Sequence, residues 1–160
     1  MKFLRYWWPA IVWACVIFTL STDSFSAQHT ASFFNPIFKW FVPSLTRHDL
    51  IHLNRLIRKS AHFTEYFLFY LFLFRGFRRG QLGWRWTWAF AALAIAAGYA
   101  ALDEVHQAFV ASREASPLDS LLDSTGAFAA AAAVWLWYRL RQKRPEAVPV
   151  ASNEVSAPKV

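Results

Sequence analysis

The sequence is poor in cysteine and in charge, and each shortage excludes a class of protein. Cys15 is the only cysteine and lies in an apolar run, so an intramolecular disulfide is excluded and a cysteine-based metal site is not expected. Charged residues make up 17% of the chain, whereas hydrophobic residues make up 56% and aromatic residues 19%. This composition is too apolar for an ordinary soluble domain, and 160 residues leave no room for a separate catalytic domain.

Acidic residues are fewer than basic residues, which gives a net charge of +7. A basic balance can indicate nucleic-acid binding, but here the arginines flank apolar blocks and form no stripe on a polar surface. We therefore expect membrane lipids as partners and no nucleic acid. The apolar blocks predict an all-α integral membrane bundle of about four transmembrane helices, with spans at about residues 6–22, 57–77, 85–105 and 118–138.

The four blocks predict one transmembrane domain, residues 1–144, followed by a cytoplasmic tail, residues 145–160. The tail is rich in proline and small polar residues, so we expect it to be disordered. The first block could alternatively be a signal peptide that is cleaved near "SFSA". The other three predicted spans are the same in either case.

The segment between the first two spans has two recognisable parts. Residues 31–43, "ASFFNPIFKWFVP", are aromatic and contain two prolines, which predicts a short extracytoplasmic segment at the membrane interface. Thr46 followed by Asp49 predicts the capped start of a helix that leads into the second span. Further along, Ala94 and Gly98 are interpreted as a small-residue surface for close helix packing.

The distribution of basic residues predicts the orientation of the bundle. Short cytoplasmic loops carry an excess of lysine and arginine. The segments before the first span, between the second and third, and after the fourth are basic with almost no acids, whereas the opposite loops mix both signs. Both termini are therefore predicted to be cytoplasmic. The basic residues on that side are Lys2, Arg5, Arg75, Arg78, Arg79, Arg85, Arg139, Arg141, Lys143 and Arg144.

Ionisable residues enter the predicted spans from the outer side only. Such residues are costly inside a membrane and normally pair with one another or serve a site. Spacings of three, four and seven residues place side chains on one broad face of a helix. We therefore predict that three helices direct polar stripes at one outward-facing, water-accessible cup. Its residues are Lys59, His62, Glu65 and Tyr66; Asp103, Glu104 and Gln107; and Asp119, Asp123 and Gly126.

Three sequence motifs supply these residues: "RKSAHFTEY", "LDEVHQAF" and "REASPLDSLLDSTG". They resemble the pattern of the VanZ-like family of bacterial membrane proteins, K-x-x-H-F-x-E-Y, then D-E-x-x-Q-x-F, then R-x-x-x-x-x-D-x-x-x-N-x-x-G. The resemblance covers roughly residues 10–140 and includes a polar S-x-x-S after the first span. One departure is an acid where the family usually has asparagine. The matched positions are Lys59, His62, Phe63, Glu65, Tyr66, Asp103, Glu104, Gln107, Phe109, Arg113, Asp119, Asp123 (the departure), Gly126, Ser21 and Ser24.

The resemblance implies a multi-pass protein of the bacterial cytoplasmic (inner) membrane that acts in the cell envelope. The family takes its name from a protein associated with resistance to the glycopeptide antibiotic teicoplanin. A lipid-linked cell-wall precursor or a glycopeptide is therefore the expected partner of the cup.

Three functions stay open from the residues. In an enzyme, the candidate catalytic residues are His62, Glu65, Asp103, Glu104 and Asp119, because imidazole and carboxyl groups perform acid–base chemistry. No serine or cysteine nucleophile is evident, but His62, Glu65, Asp103 and Asp123 could hold a divalent metal. In a non-catalytic binding protein, the ligand-binding candidates are Lys59, Tyr66, Gln107, Arg113 and Asp123. In a scaffold, the cluster is a structural network that fixes helix packing.

Histidines outside the cup are not assigned to a site. His106 is interpreted as loop surface rather than a second base, and His29, His48 and His52 are taken to have no ligand spacing with one another.

Overall fold

The structure is a computed structural model that describes residues 2–22, 27–109 and 117–142. The described residues form five helices: α1 (Lys2–Leu20), α2 (Ala27–Phe41), α3 (Arg47–Arg78), α4 (Trp86–Gln107) and α5 (Pro117–Gln142). No strand occurs in these three ranges, so the predicted all-α class is confirmed. The predicted tail, residues 145–160, lies outside the described residues.

Two of the five helices are long and apolar enough to cross a membrane, namely α1 over Phe3–Leu20 and α4 over Trp86–Gln107. Eighteen residues at about 1.5 Å each reach about 27 Å, close to the thickness of the hydrocarbon core. The predicted spans in α3 and α5 are not apolar enough to meet the same criterion. The physical reason is that these two helices carry His62, Glu65 and Asp123, the polar residues that the sequence assigns to the cup.

The central element is α3, which packs against all four other helices. It begins at the predicted cap: the Thr46 hydroxyl accepts the Asp49 N–H (3.3 Å), and the Asp49 carboxylate accepts the Thr46 N–H (2.9 Å). It ends at Arg78 and is followed by the capping residue Arg79, whose left-handed backbone (φ 47°) turns the chain towards α4. Its 32 residues extend about 48 Å, so the helix exceeds the thickness of the hydrocarbon core.

The core forms where large side chains of α3 meet small side chains of its neighbours. Tyr66, Phe69, Tyr70, Leu73 and Phe74 of α3 are buried. They are accommodated because the facing stripes of α4 and α5 are alanines, which let the helices approach closely. These alanines are Ala89, Ala92, Ala96 and Ala100 in α4, and Ala127 and Ala130 in α5.

The packing surface of α4 is not the one that the sequence indicates. Ala94 and Gly98 are both exposed, and a side chain added at Gly98 would meet nothing within 4 Å. The interpretation of these two residues as a helix contact within the chain is therefore wrong. Alanines occur on every side of α4, so the presence of small residues does not identify the face that packs.

The end of α3 with Arg75 and Arg78, the start of α1 with Arg5, and the last turn of α5 with Arg139 and Arg141 lie at one end of the bundle, which we call the arginine-rich end. There the Arg75 guanidinium donates hydrogen bonds to the backbone carbonyls of Tyr6 (3.0 Å) and Arg5 (3.4 Å) in α1. The carbonyl of Arg5 has no intrahelical partner four residues on, because Pro9 has no N–H. Arg78 lies over the ring of Tyr138 in α5 at 5.7 Å.

Helix α2 lies against the first half of α3. The Asn54 side-chain amide donates a hydrogen bond to the Asn35 side-chain carbonyl (2.7 Å). The aromatic side chains of Phe33, Trp40 and Phe41 in α2 are exposed. An amphipathic, aromatic helix with its rings outward is typical of a segment at a membrane interface.

Candidate functional site

Helix α3 contributes an imidazole, a carboxylate and a phenol to the candidate site. His62, Glu65 and Tyr66 lie three and four residues apart, so one helical face carries all three. The side chains of His62 and Glu65 keep 17% and 13% of their surface exposed, and the imidazole Nδ1 lies 3.8 Å from Glu65 Oε2. Tyr66 is completely buried.

Helix α4 contributes a carboxylate and an amide from its last turns. Asp103 and Gln107 are four residues apart and both are buried, with 5% and 4% of their surfaces exposed. The Gln107 amide donates a hydrogen bond to Asp103 Oδ2 (3.1 Å). This bond fixes the orientation of the Asp103 carboxylate towards its neighbours.

Helix α5 contributes Asp123, which is 1% exposed. Gly126, one turn further on, allows this approach because its α-carbon lies against the backbone carbonyl of Phe63 in α3. A side chain at that position would collide with the carbonyl oxygen. Gly126, which belongs to the third motif, thus lets α5 approach α3 closely enough for the Asp123 carboxylate to lie beside the His62 imidazole.

The three helices place their donor atoms close together. His62 Nδ1 lies 3.6 Å from Asp123 Oδ1, and ligand atoms of His62, Asp103 and Asp123 all lie within 4.8 Å of one another. Bonds from zinc to nitrogen and oxygen are about 2.0–2.2 Å, so two donors on one ion are at most about 4 Å apart. Side-chain shifts below about 1 Å would therefore let this set bind a divalent cation. One imidazole and two carboxylates suit zinc or manganese.

The Tyr66 hydroxyl lies within electrostatic reach of Asp103, Asp123 and Glu65. It has no hydrogen-bond partner among the described residues, although it is buried. Buried hydroxyls normally have a partner in a protein, a water or a ligand. Within the described residues, the donor of this phenol therefore has no acceptor.

Two aromatic side chains hold the helices around the site, and neither is predicted from the sequence. The Trp13 indole of α1 donates a hydrogen bond to the backbone carbonyl of Glu65 (2.9 Å). The Tyr99 hydroxyl of α4 donates one to the backbone carbonyl of Ala14 in α1 (2.7 Å). The polar tips of Trp and Tyr inside predicted spans are the signal that could have indicated them, since such tips usually find a partner when buried.

The structure brings six of the ten predicted site residues together: His62, Glu65, Tyr66, Asp103, Gln107 and Asp123. Lys59 lies one turn before His62 and is exposed. Glu104 is half-buried beside Asp103 and is outside the metal-competent set. Asp119 lies in α5 one turn before Asp123, and its side chain is outside the described part. Arg113 also lies outside the described residues.

Among the residues of the S-x-x-S resemblance, Ser24 lies outside the described residues. Ser21 follows α1 and is 1% exposed, with a hydroxyl that has no partner in the described part of the chain.

Two interpretations of histidines are wrong. His106 belongs to the last turn of α4, is half-buried and has its ring 4.8 Å from that of Phe18. His48 and His52 are exposed on α3, and their four-residue spacing brings the two Nε2 atoms to 3.1 Å. This separation fits two ligands on one metal ion.

Comparison with known proteins identifies the family but no individual relative. No curated protein and no solved structure matches the chain. The family model VanZ/LLP1 matches residues 6–138, a range that includes most of α1, all of α4 and every motif residue of the cluster. Because this match covers most of the sequence, the chain belongs to the VanZ/LLP1 family.

Proposed function

We propose that the chain crosses the cytoplasmic membrane of a bacterium four times, through α1, α3 over residues 57–77, α4, and α5 over residues 118–138. Both termini are on the cytoplasmic side. Support comes from family membership, from the two apolar helices, and from the separation of the arginine-rich end from the polar cluster. The polar residues of α3 and α5 are compatible with a membrane because they face one another rather than lipid.

In this orientation the polar cluster opens towards the outer leaflet. The proposed function is recognition of the phosphate-bearing head group of a lipid-linked envelope precursor, through a divalent cation held by His62, Asp103 and Asp123. The observation that carries the proposal is the convergence of these three ligand atoms within 4.8 Å, from three different helices. A cation neutralises two buried carboxylates and gives phosphate oxygens a ligand position.

The other cluster residues have roles that follow from their chemistry. Tyr66 donates a hydrogen bond to a ligand oxygen, and Gln107 orients the Asp103 ligand. Lys59, exposed one turn before His62, and Arg113 contribute positive charge for the phosphate. If the head group is hydrolysed, the nucleophile is water, and Glu65 and Glu104 are the candidate carboxylate bases. A glycopeptide is the alternative ligand of the same cup.

The test is metal analysis of detergent-purified protein. The background should be the His48→Ala/His52→Ala variant, because the exposed pair would itself bind transition metals. We expect about one equivalent of zinc or manganese in this background, and none after His62→Ala or Asp123→Ala is added. A metal-loaded protein should then retain a short-chain prenyl phosphate that the metal-free variants release. Absence of metal from a folded, monodisperse background protein would contradict the proposal.

A structural network is the second candidate, favoured by the burial of Asp103, Gln107 and Asp123 and by the hydrogen bond between the first two. It predicts that Asp103→Ala and Asp123→Ala lower the amount of protein in the membrane. The proposed binding function predicts normal amounts and lost ligand. Membrane abundance and metal content, measured on the same preparations, separate the two candidates.

A further inference from the structure

Two apolar grooves run along α3 at the arginine-rich end, one on each side. The first lies between α3 and α5, has a volume of about 360 Å³, and is lined by Leu71, Phe74 and Ala133 among others. The second lies between α1 and α3, has a volume of about 390 Å³, and is lined by Pro9, Val12 and Phe72 among others. One charged residue, Arg75, lines both grooves.

Arg75 is exposed and borders both grooves. Its guanidinium has five N–H donors, and the bonds to the Tyr6 and Arg5 carbonyls engage one from each terminal nitrogen. The two bonds fix the plane of the group against α1. A fixed guanidinium with further donors at a membrane surface is suited to a phosphate oxygen.

The surrounding charge is positive. Arg78 lines the first groove beside Arg75 and lies over Tyr138. Arg139 and Arg141 lie over Trp135 and Trp137 at 5.3 and 4.1 Å. Rings at the level of the head groups hold these guanidinium groups near the lipid surface, where each adds to the attraction for negative charge.

We propose that this end binds one anionic phospholipid, with its phosphate at Arg75 and one acyl chain in each groove. The two grooves match the two chains of a phospholipid, and the shared arginine matches the single phosphate that joins them. In the described part of the chain no acid lines either groove, and such uncompensated positive charge selects an anionic head group over a zwitterionic one. The inference rests on the proposed membrane crossing but not on the polar cluster, which lies at the other end of the bundle.

The test compares lipid retention by native mass spectrometry. Protein purified in detergent is mixed with equal amounts of phosphatidylglycerol and phosphatidylcholine that carry the same acyl chains. We expect the wild-type protein to retain phosphatidylglycerol about fivefold better, which is the value of one arginine near a charged surface. Arg75→Gln should abolish this preference. Arg55→Gln, which removes an exposed arginine near the other end of α3 that lines neither groove, should keep it.

A second pair of variants tests the groove itself. Ala133→Phe fills the groove between α3 and α5 and should lower retention of both lipids, while Ala132→Phe, also exposed on α5 and outside that groove, should not. Arg75→Gln also removes two hydrogen bonds to α1 and could therefore disturb the fold. If that variant is not monodisperse, the comparison of Ala133→Phe with Ala132→Phe decides whether the groove holds a lipid chain. Equal retention of both lipids by the wild type, equal effects of the two arginine changes, or an unaffected Ala133→Phe variant would overturn the proposal.

Discussion

His62 Nδ1 lies 3.6 Å from Asp123 Oδ1, and this contact joins α3 to α5 inside the bundle. The two side chains differ in exposure, because His62 keeps 17% of its side-chain surface open and Asp123 only 2%. A cation that binds as proposed would reach the more accessible imidazole first. The nearly buried carboxylate would then neutralise part of the charge of that cation.

Asp123 is also the position at which this chain departs from the asparagine of the VanZ-like pattern. We expect Asp123→Asn to keep the fold, because the amide has nearly the same shape and can still accept a hydrogen bond. The affinity for a divalent cation should fall at least about tenfold, since even a residue that only orients a metal ligand contributes that much.

Isothermal titration with zinc or manganese measures this difference, again in the His48→Ala/His52→Ala background. Glu104→Gln is the matched control, because Glu104 is half-buried nearby and lies outside the metal-competent set. Equal affinities for Asp123→Asn and the background protein would remove Asp123 from the cation site.

Gly126 and Gly98 form a second matched pair. A Cβ at Gly126 would collide with the Phe63 carbonyl oxygen, whereas one at Gly98 meets nothing within 4 Å. Gly126→Ala should therefore lower the free energy of unfolding by about 1–3 kcal/mol and move Asp123 away from His62. Gly98→Ala should raise it by up to about 1 kcal/mol, the helix-propensity difference. Thermal unfolding in one detergent compares them, and similar midpoints would contradict the close contact at Gly126.

The sequence predicted those features that depend on neighbouring residues along one helix. The start of α3 follows from Thr46 and Asp49, and the shared face of His62 and Glu65 follows from their spacing. The convergence of α3, α4 and α5 was also predictable, because buried ionisable residues need one another in an apolar surrounding.

Contacts between helices distant in sequence were not predictable from the residues. The hydrogen bond from Trp13 to the Glu65 carbonyl joins residues 52 positions apart and depends on how α1 rotates about its axis. The packing face of α4 was predicted wrongly for the same reason: alanines on every side of a helix leave its rotation undetermined. Lys59 lies on the same broad face of α3 as His62 but is exposed. Residue spacing predicts the direction in which a side chain points, but it does not predict how far the neighbouring helices extend to cover that side chain.

The cap of α3 gives a prediction about pH. Hydrogen bonds from the Thr46 hydroxyl and then the Thr46 N–H hold the pKa of Asp49 below its ordinary value of 3.8. A lowered pKa in the folded state means that the stabilisation is present above about pH 4 and is lost as the pH falls through the lowered pKa. Hydrogen exchange of the first-turn amides should therefore show protection at pH 6 that declines below about pH 4.

Thr46→Ala should lower that protection at pH 6, and Thr46→Ser, which keeps a hydroxyl, should restore it. The rest of α3 should respond to neither change, because its packing against the other helices stabilises it. First-turn protection that is the same in Thr46→Ala and the wild type would show that the cap contributes nothing to the start of the helix.

Tyr66 and Tyr99 allow the last comparison, because the same substitution should have different consequences at the two sites. The Tyr99 hydroxyl donates to the Ala14 carbonyl, so Tyr99→Phe should lower the free energy of unfolding by about 1 kcal/mol. The buried Tyr66 hydroxyl has no partner in the described residues, so Tyr66→Phe should leave that free energy unchanged or raise it. If the Tyr66 hydroxyl binds a ligand, Tyr66→Phe should also weaken retention of a prenyl phosphate. Tyr99→Phe should leave this retention unchanged. Loss of stability without loss of retention in Tyr66→Phe would make this phenol part of the packing and exclude it from the binding site.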